Sequence, residues 1–299
     1  MVGQSKKGYL TLALGKNFAE MAVDMALSIK QFDSKPITCV VDSKTKNHIN
    51  KNYEFVFDEL IELDDNSSLG RARKFYSTLL SPYDETIFVD ADIIILGKID
   101  RLWENPMNNH TIMIGDYLSI EKDKNHHGFS TSSLQKQFNV KKYLKTNSGC
   151  FYFNNKSKAF FKSCIEKHKL LENHTNLNHK GCLGDEITIG ITAEKFNVGV
   201  FNIYPSLMMW DKELSVLQPD LKFYELPICH FIAPIPEKTV NWITAQSRNR
   251  RVQNSICSKG SKVWIELNRL NITNMQPLSI YEKVNFKIKK LLSKFLYIL

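Results

Sequence analysis

The chain has 299 residues, 43% hydrophobic and 24% charged, which excludes a disordered or fibrous protein and allows one large core or two modest ones. Its formal net charge of +9 draws anions, so nucleotides, nucleic acid and acidic lipid surfaces stay open as partners. Six scattered cysteines with no CxxC pair exclude a metal-finger framework and read as reduced, mostly buried thiols.

In chain order, strand and helix patterns alternate. GYLTLAL (8–14) reads as a strand, and residues 17–32 place Phe18, Met21, Ala22, Met25, Ile29 and Phe32 on one helical stripe. ITCVV (37–41) is a buried strand, followed by a short helix over 43–50, the strand-like EFVFDELIEL (54–63), a helix over about 70–80 and the strand TIFVD (86–90). This order predicts an α/β fold with a mostly parallel central sheet flanked by helices, whose ligands gather at the carboxyl ends of the strands. TIMIG (111–115) and GCFYFN (149–154) add strands. The Lys-, Ser- and His-bearing stretch between them, Tyr117 to Thr146, reads either as an acceptor loop or as a flexible surface loop. Helices are expected from about Lys158 to Glu172 and from near Asp185, then a strand at NVGVFNIY (197–204). The polar, basic SRNRRVQNS puts a domain edge near 255, giving a main domain 1–255 and a C-terminal helical, basic amphipathic appendage 256–299.

That appendage ends in YEKVNFKIKKLLSKFLYIL (281–299), where five lysines interleave with bulky apolar residues. Basic charge beside such residues marks a helix lying in an anionic membrane interface. The alternative is a docked helix with its lysines in water. MVGQSKK at the start lacks the apolar core of a signal peptide, and no stretch approaches the roughly 18–20 apolar residues of a membrane span, so a cytoplasmic protein is expected, peripheral at the inner face of a membrane if the tail binds lipid.

TIFVDADIIILG (86–97) sets Asp90 and Asp92 inside an almost unbroken apolar run, and buried carboxylates need a compensating partner. With fifteen aspartates, about 0.7 Asp-x-Asp triplets arise by chance, so the context must carry the argument. Residues two apart on a strand stand about 6.5 Å apart, whereas a hard divalent ion lies about 2–2.5 Å from each oxygen. Both carboxylates therefore serve one ion only if the chain bends after Val89. A solvated acidic turn is the competing reading.

KFYSTLLSPYDETIFVDADIIILGKIDRLW (74–103) resembles the signature of the family-8 glycosyltransferases, the family of glycogenin and the bacterial lipopolysaccharide galactosyltransferases. TLALGKNFAEMAVDMALSIKQF, NSGCFYFN and GDEITIG resemble further family segments, and together they follow the family's order over most of residues 9–242. The resemblance implies a GT-A fold and metal-dependent, retaining transfer of a sugar from a UDP-sugar donor to a glycan, glycolipid or protein acceptor. It implies Asp90 and Asp92 as ligands of Mn²⁺ (or Mg²⁺), with Asp90 and Ala91 also near the nucleotide. HFIAPIPEKTVNW (230–242) is the counterpart of a late family motif and offers His230 as third ligand and Lys238 as a diphosphate contact, although Ala233 replaces a glycine and four extra residues intervene. Imidazole favours manganese over magnesium.

By the same resemblance Lys74 contacts the donor phosphates or sugar, the uridine rests on Leu12, Leu14 and Phe18, and Asp116, Asn147 and Ser148 hold the donor sugar. Asp185 and Glu186 stand at the reaction centre. Glu186 replaces the usual glutamine and so offers an anionic nucleophile; Asp185 reads equally as a helix N-cap. Competing functions are a nucleotidyltransferase, for which ALGKN is too slight a phosphate loop, and a basic nucleic-acid binder using RNRR and the tail. No nucleic-acid partner is expected, since no reading motif is present. A homodimer is left open.

Overall fold

The computed structural model describes residues 6–64, 70, 72–104, 108–172, 184–201, 208–209, 228–232 and 234–275. Strand β1 (Lys7–Ala13) leads through helix α1 (Lys16–Lys30) to β2 (Ile37–Val41), α2 (Ser43–Asn52), β3 (Glu59–Glu62), α3 (Arg73–Leu79), β4 (Glu85–Val89) and β5 (Ile93–Ile95). Then come β6 (Thr111–Ser119), β7 (Asn125–His126), β8 (Phe129–Ser130), α4 (Thr131–Phe138), β9 (Lys142–Asn154), α5 (Lys158–Glu172) and α6 (Asp185–Thr192). Strands β10 (Gly199–Val200), β11 (Met208–Met209) and β12 (Ile228–His230) precede the helices α7 (Glu237–Gln253) and α8 (Val263–Met275).

Seven strands form the central sheet in the order β10-β6-β9-β4-β1-β2-β3. β1 pairs in parallel with β2 and β4, β2 with β3, and β10 with β6, while β9 runs antiparallel between β4 and β6. The five residues of β2 are all buried, as expected for a strand covered on both faces. The main core takes in β1, α1, β2, β5 and β12, and a second cluster packs Phe75, Phe88, Phe151, Phe160 and Phe161 under α3 and α5.

Several elements differ from the sequence reading. Residues 54–56 form a turn, leaving only Glu59–Glu62 as strand, because the pairing with β2 starts at Thr38 opposite Glu59. The Tyr117–Thr146 stretch is not a loop: β6 and β9 overrun it from both sides, and the hairpin β7–β8 and α4 fill the rest. The strand expected at 197–204 is described only at Gly199–Val200, and 202–204 lie outside the described residues, as does Tyr281–Leu299.

SRNRR belongs to α7, where Arg248 is exposed, Arg250 is partly buried and Arg251 enters a buried ionic cluster. Arg251 is 0% exposed; its Nε donates to Asp24 Oδ1 at 2.6 Å, its Nη1 to Glu20 Oε2 at 2.9 Å and its Nη2 to the Glu20 carbonyl at 2.9 Å. Trp264 of α8 donates to the other oxygen of Asp24 at 2.8 Å, so α7 and α8 are both bonded to α1. Deleting one member of a buried ion cluster strands the others without compensation. Arg251→Met is accordingly expected to lower stability by about 3–5 kcal/mol, read as a fall in the urea midpoint; an unchanged midpoint would show that the cluster contributes little.

Candidate active site

The site forms where β4 ends. After Val89 the chain turns: the Asp90 N–H donates to the Gly149 carbonyl at 2.7 Å, and the Ile93 N–H returns to the Asp90 carbonyl at 3.2 Å. This is the bend that lets Asp90 and Asp92 converge. Ile93–Ile95 then pairs antiparallel with β12, with His230 opposite Ile93 and the Phe231 N–H bonded to the Asp92 carbonyl at 3.0 Å. Strand pairing thus carries His230 to the acidic pair across 138 residues of sequence.

His230 Nε2 lies 3.2 Å from Asp92 Oδ1 and 4.0 Å from Asp90 Oδ2, and the three donor atoms all fall within 4.8 Å of one another. Ala91 between the aspartates is buried. Burial lifts the Asp90 carboxyl to about 6 in spite of Lys74, with Asp92 adding to the rise. Burial also opposes ionisation of Asp92, but His230 outweighs it and holds that carboxyl below the usual range. His230 is raised: burial works against its charge and the two aspartates overcome it. Two carboxylate oxygens and one imidazole nitrogen so gathered could hold a divalent cation.

Gly149 makes this packing feasible. A Cβ there would stand 2.7 Å from His230 Nδ1 and 3.0 Å from Asn147 Oδ1. Gly149→Ala should therefore push the imidazole out of place and weaken the binding of any divalent cation held there by roughly 10–100-fold, the range seen when support around a ligand is lost. Titration calorimetry of the metal-free chain measures this; unaltered affinity would remove His230 from the ligand set.

Lys74 of α3 projects between the acidic groups. Its Nζ is 2.9 Å from Asp90 Oδ2, 3.0 Å from Asp185 Oδ2 and 3.0 Å from Ser148 Oγ. Burial disfavours the ammonium, yet Asp185 and Asp90 hold it well above the ordinary lysine range. Ser148 sits at an irregularity in β9: opposite β6, Met113 pairs with Phe151 and the next residue, Ile114, pairs with Asn147, so 148–150 have no partner in β6 while Cys150 stays paired with Val89 of β4. The Ser148 hydroxyl donates to Asp185 Oδ2 at 2.7 Å and its N–H to Glu186 Oε1 at 2.9 Å. Asn147 is buried, its Oδ1 accepting from the Gly149 N–H at 2.9 Å.

Asp185 is not the N-cap of α6. Gly184 takes that place, and the Asp185 carboxylate, one residue in, turns to Lys74 and Ser148; burial opposes its charge but Lys74 keeps it below the usual range. Glu186 is likewise held ionised: burial is outweighed by His126 and His127 of the β7–β8 hairpin, both of which reach its Oε2. Sequence reading missed these two contacts, since nothing local links the hairpin to a helix start some sixty residues on.

Leu12 and Leu14 are partly buried at the carboxyl end of β1, and Leu14 lines a cleft of about 510 Å³ with Gly15, Asp42, Thr45, Leu63 and Arg73. Phe18 is 50% exposed, so it leaves the core stripe of α1 and stands in the first turn facing solvent. Asp116 is exposed on β6, and Lys238 is exposed in the first turn of α7.

This arrangement, a mostly parallel sheet flanked by helices with an acidic turn after its fourth strand, is the GT-A fold. Among solved structures the chain is similar to the bifunctional glycosyltransferase WbbM (TM-score 0.50, 17% identity, covering 79% of this chain and 47% of that one). It is also similar to the glycosyltransferase GlyE of Streptococcus pneumoniae TIGR4 (TM-score 0.51, 15% identity, covering 86% of this chain and 66% of that one). The chain thus spans about half the length of WbbM and just under two thirds of GlyE. No protein-family model matches the chain, and no curated protein matches it.

Proposed function

We propose that this protein is a divalent-metal-dependent, retaining glycosyltransferase that moves a sugar from a UDP-sugar to a glycan, lipid-linked glycan or protein acceptor. The observation that carries the reading is the convergence of Asp90, Asp92 and His230 within 4.8 Å at the carboxyl end of β4, on a GT-A fold. Asp90, Asp92 and His230 would hold the cation, preferably Mn²⁺, which when bound supplies Lewis-acid stabilisation of the departing diphosphate. The cleft beside Leu14 and Arg73 suits the nucleotide, since it opens at the carboxyl ends of β1, β2 and β3. Ala91, Leu12 and the exposed Phe18 are proposed to border the uridine, and Lys238 to reach the diphosphate.

Lys74 is proposed to bridge the two halves of the site, its ammonium shared between Asp90 and Asp185, so that positive charge stands where the leaving group develops negative charge. Ser148 and Asn147 orient the sugar, with Asp116 at the rim. Asp185 stands at the reaction centre with Glu186 beside it. Retention follows either from attack by a carboxylate or from a same-face reaction assisted by the donor phosphate.

Incubation of the full chain with a panel of nucleotide sugars and Mn²⁺, read as slow donor hydrolysis, tests this reading: one UDP-sugar should be cleaved in a metal-dependent way, and a uniformly inert panel would contradict it. An acceptor at a membrane rests on the sequence of 281–299, outside the described residues; no described helix is long and apolar enough to cross a bilayer. Removal of 281–299 is expected to abolish flotation with anionic liposomes, and equal flotation without it would count against a membrane role.

A further inference from the structure

We propose a second divalent-cation site, distinct from the Asp90, Asp92 and His230 cluster, formed by His126, His127 and Glu186 and suited to zinc. His126 Nε2 lies 3.3 Å from Glu186 Oε2, His127 Nε2 contacts the same oxygen, and the three donor atoms lie within 4.8 Å of one another. Two imidazole nitrogens aimed at one carboxylate oxygen each need a proton if no metal is present. The two rings, with centroids 4.6 Å apart, present both nitrogens to that one oxygen. One divalent cation replaces both protons and satisfies all three groups together.

The outer contacts are those a metal site requires. His126 Nδ1 is 2.8 Å from the Tyr143 hydroxyl, which fixes the ring and leaves Nε2 for the cation, and the second oxygen of Glu186 accepts the Ser148 N–H at 2.9 Å. Tyr143 itself is fully buried against Gly190, where a Cβ would stand 2.7 Å from the hydroxyl. His127 and Gly128 form the tight turn of the β7–β8 hairpin with φ of 51° and 89°. Such a turn needs positive φ at both central residues, which Gly128 adopts freely and histidine more readily than most side chains. Its ring lies within 3.6 Å of where a Gly184 Cβ would be, so the hairpin tip is seated on the start of α6.

Two histidines and one carboxylate are the donor set zinc takes in sites that keep a fourth position for water or substrate. The oxygen-rich first cluster suits manganese better. On the function proposed above, a cation here claims Glu186 and leaves Asp185 as the carboxylate at the reaction centre; that consequence alone rests on the functional reading.

Equilibrium dialysis of Zn²⁺ against the metal-stripped full chain, without nucleotide, tests the site. In Asp92→Asn one zinc equivalent should persist, and Co²⁺ in its place should give the intense visible bands of four-coordinate cobalt. Adding His127→Ala to that background should abolish the equivalent. Tyr143→Phe, which keeps all three ligands, should weaken it by roughly 10–100-fold. Circular dichroism confirms that each variant is folded; His127 lies on a hairpin tip, so its loss should leave the spectrum unchanged. Zinc lost in Asp92→Asn alone, or kept at the same affinity after His127→Ala, would overturn the proposal. Neither readout involves sugar transfer, so its failure is distinguishable from failure of the glycosyltransferase reading.

Discussion

Replacing Asp92 by asparagine is expected to cut metal-dependent release of UDP from the donor by at least about 100-fold, equivalent to about 2.7 kcal/mol of barrier. The change removes one ionised oxygen and keeps the shape, so the cation loses a ligand while packing is untouched. Asp92 has 26% of its side chain exposed, and its backbone carbonyl, which holds Phe231, is retained. Losing the pair with His230 at 3.2 Å should lower the melting transition by an amount equivalent to about 1–3 kcal/mol, with the chain still folded. Hydrolysis assays with varied Mn²⁺ and a thermal melt on the same preparation check both halves. Full activity in a folded variant would remove Asp92 from the mechanism.

Lys74→Met should have a larger and broader effect. The Lys74 side chain is 14% exposed, and its ammonium stands 2.9 Å from Asp90 and 3.0 Å from Asp185. Without it the two carboxylates face each other in a partly desolvated site, and Asp90, already lifted to about 6, gains a further reason to take up a proton. Removing one partner of such a group costs about 3–5 kcal/mol of stability, and donor hydrolysis should fall by more than about 100-fold as charge stabilisation of the leaving group is lost. Lys74→Arg, which keeps the charge but not the point-like ammonium, should recover most of the stability and only part of the activity. Urea unfolding and donor turnover of the two variants separate these effects; a Met variant as stable as the parent would show that Lys74 is not compensating the carboxylates.

The sheet was legible because its strands are continuous apolar runs: TIFV and ITCVV read as covered strands, and a shared ion for the aspartates that follow TIFV required a bend after Val89. The stripe Met21, Ala22, Met25 and Ile29 likewise specified the buried face of α1, whereas Phe18, one turn earlier, extends beyond the cover of the sheet. What escaped detection was decided by long-range pairing. His230 joins the acidic turn through the β5–β12 ladder, a contact that only the family resemblance suggested. The burial of Arg251 depends on Asp24 and Glu20 more than two hundred residues away, so a local charge count reads SRNRR as a basic patch. The Tyr117–Thr146 stretch lacks a long period because its elements are two-residue strands and an eight-residue helix, too short to leave a periodic trace. That brevity hid the hairpin that brings His126 and His127 to Glu186.

The central claim is that Asp90, Asp92 and His230 together hold one cation that in turn carries a nucleoside diphosphate. Calorimetric titration of UDP into the full chain, with and without Mn²⁺, tests it most directly. UDP should bind at least about tenfold more tightly with the metal, a difference of about 1.4 kcal/mol, and His230→Ala should erase that difference. Equal UDP affinity with and without Mn²⁺, or a metal effect that survives loss of His230, would contradict the account.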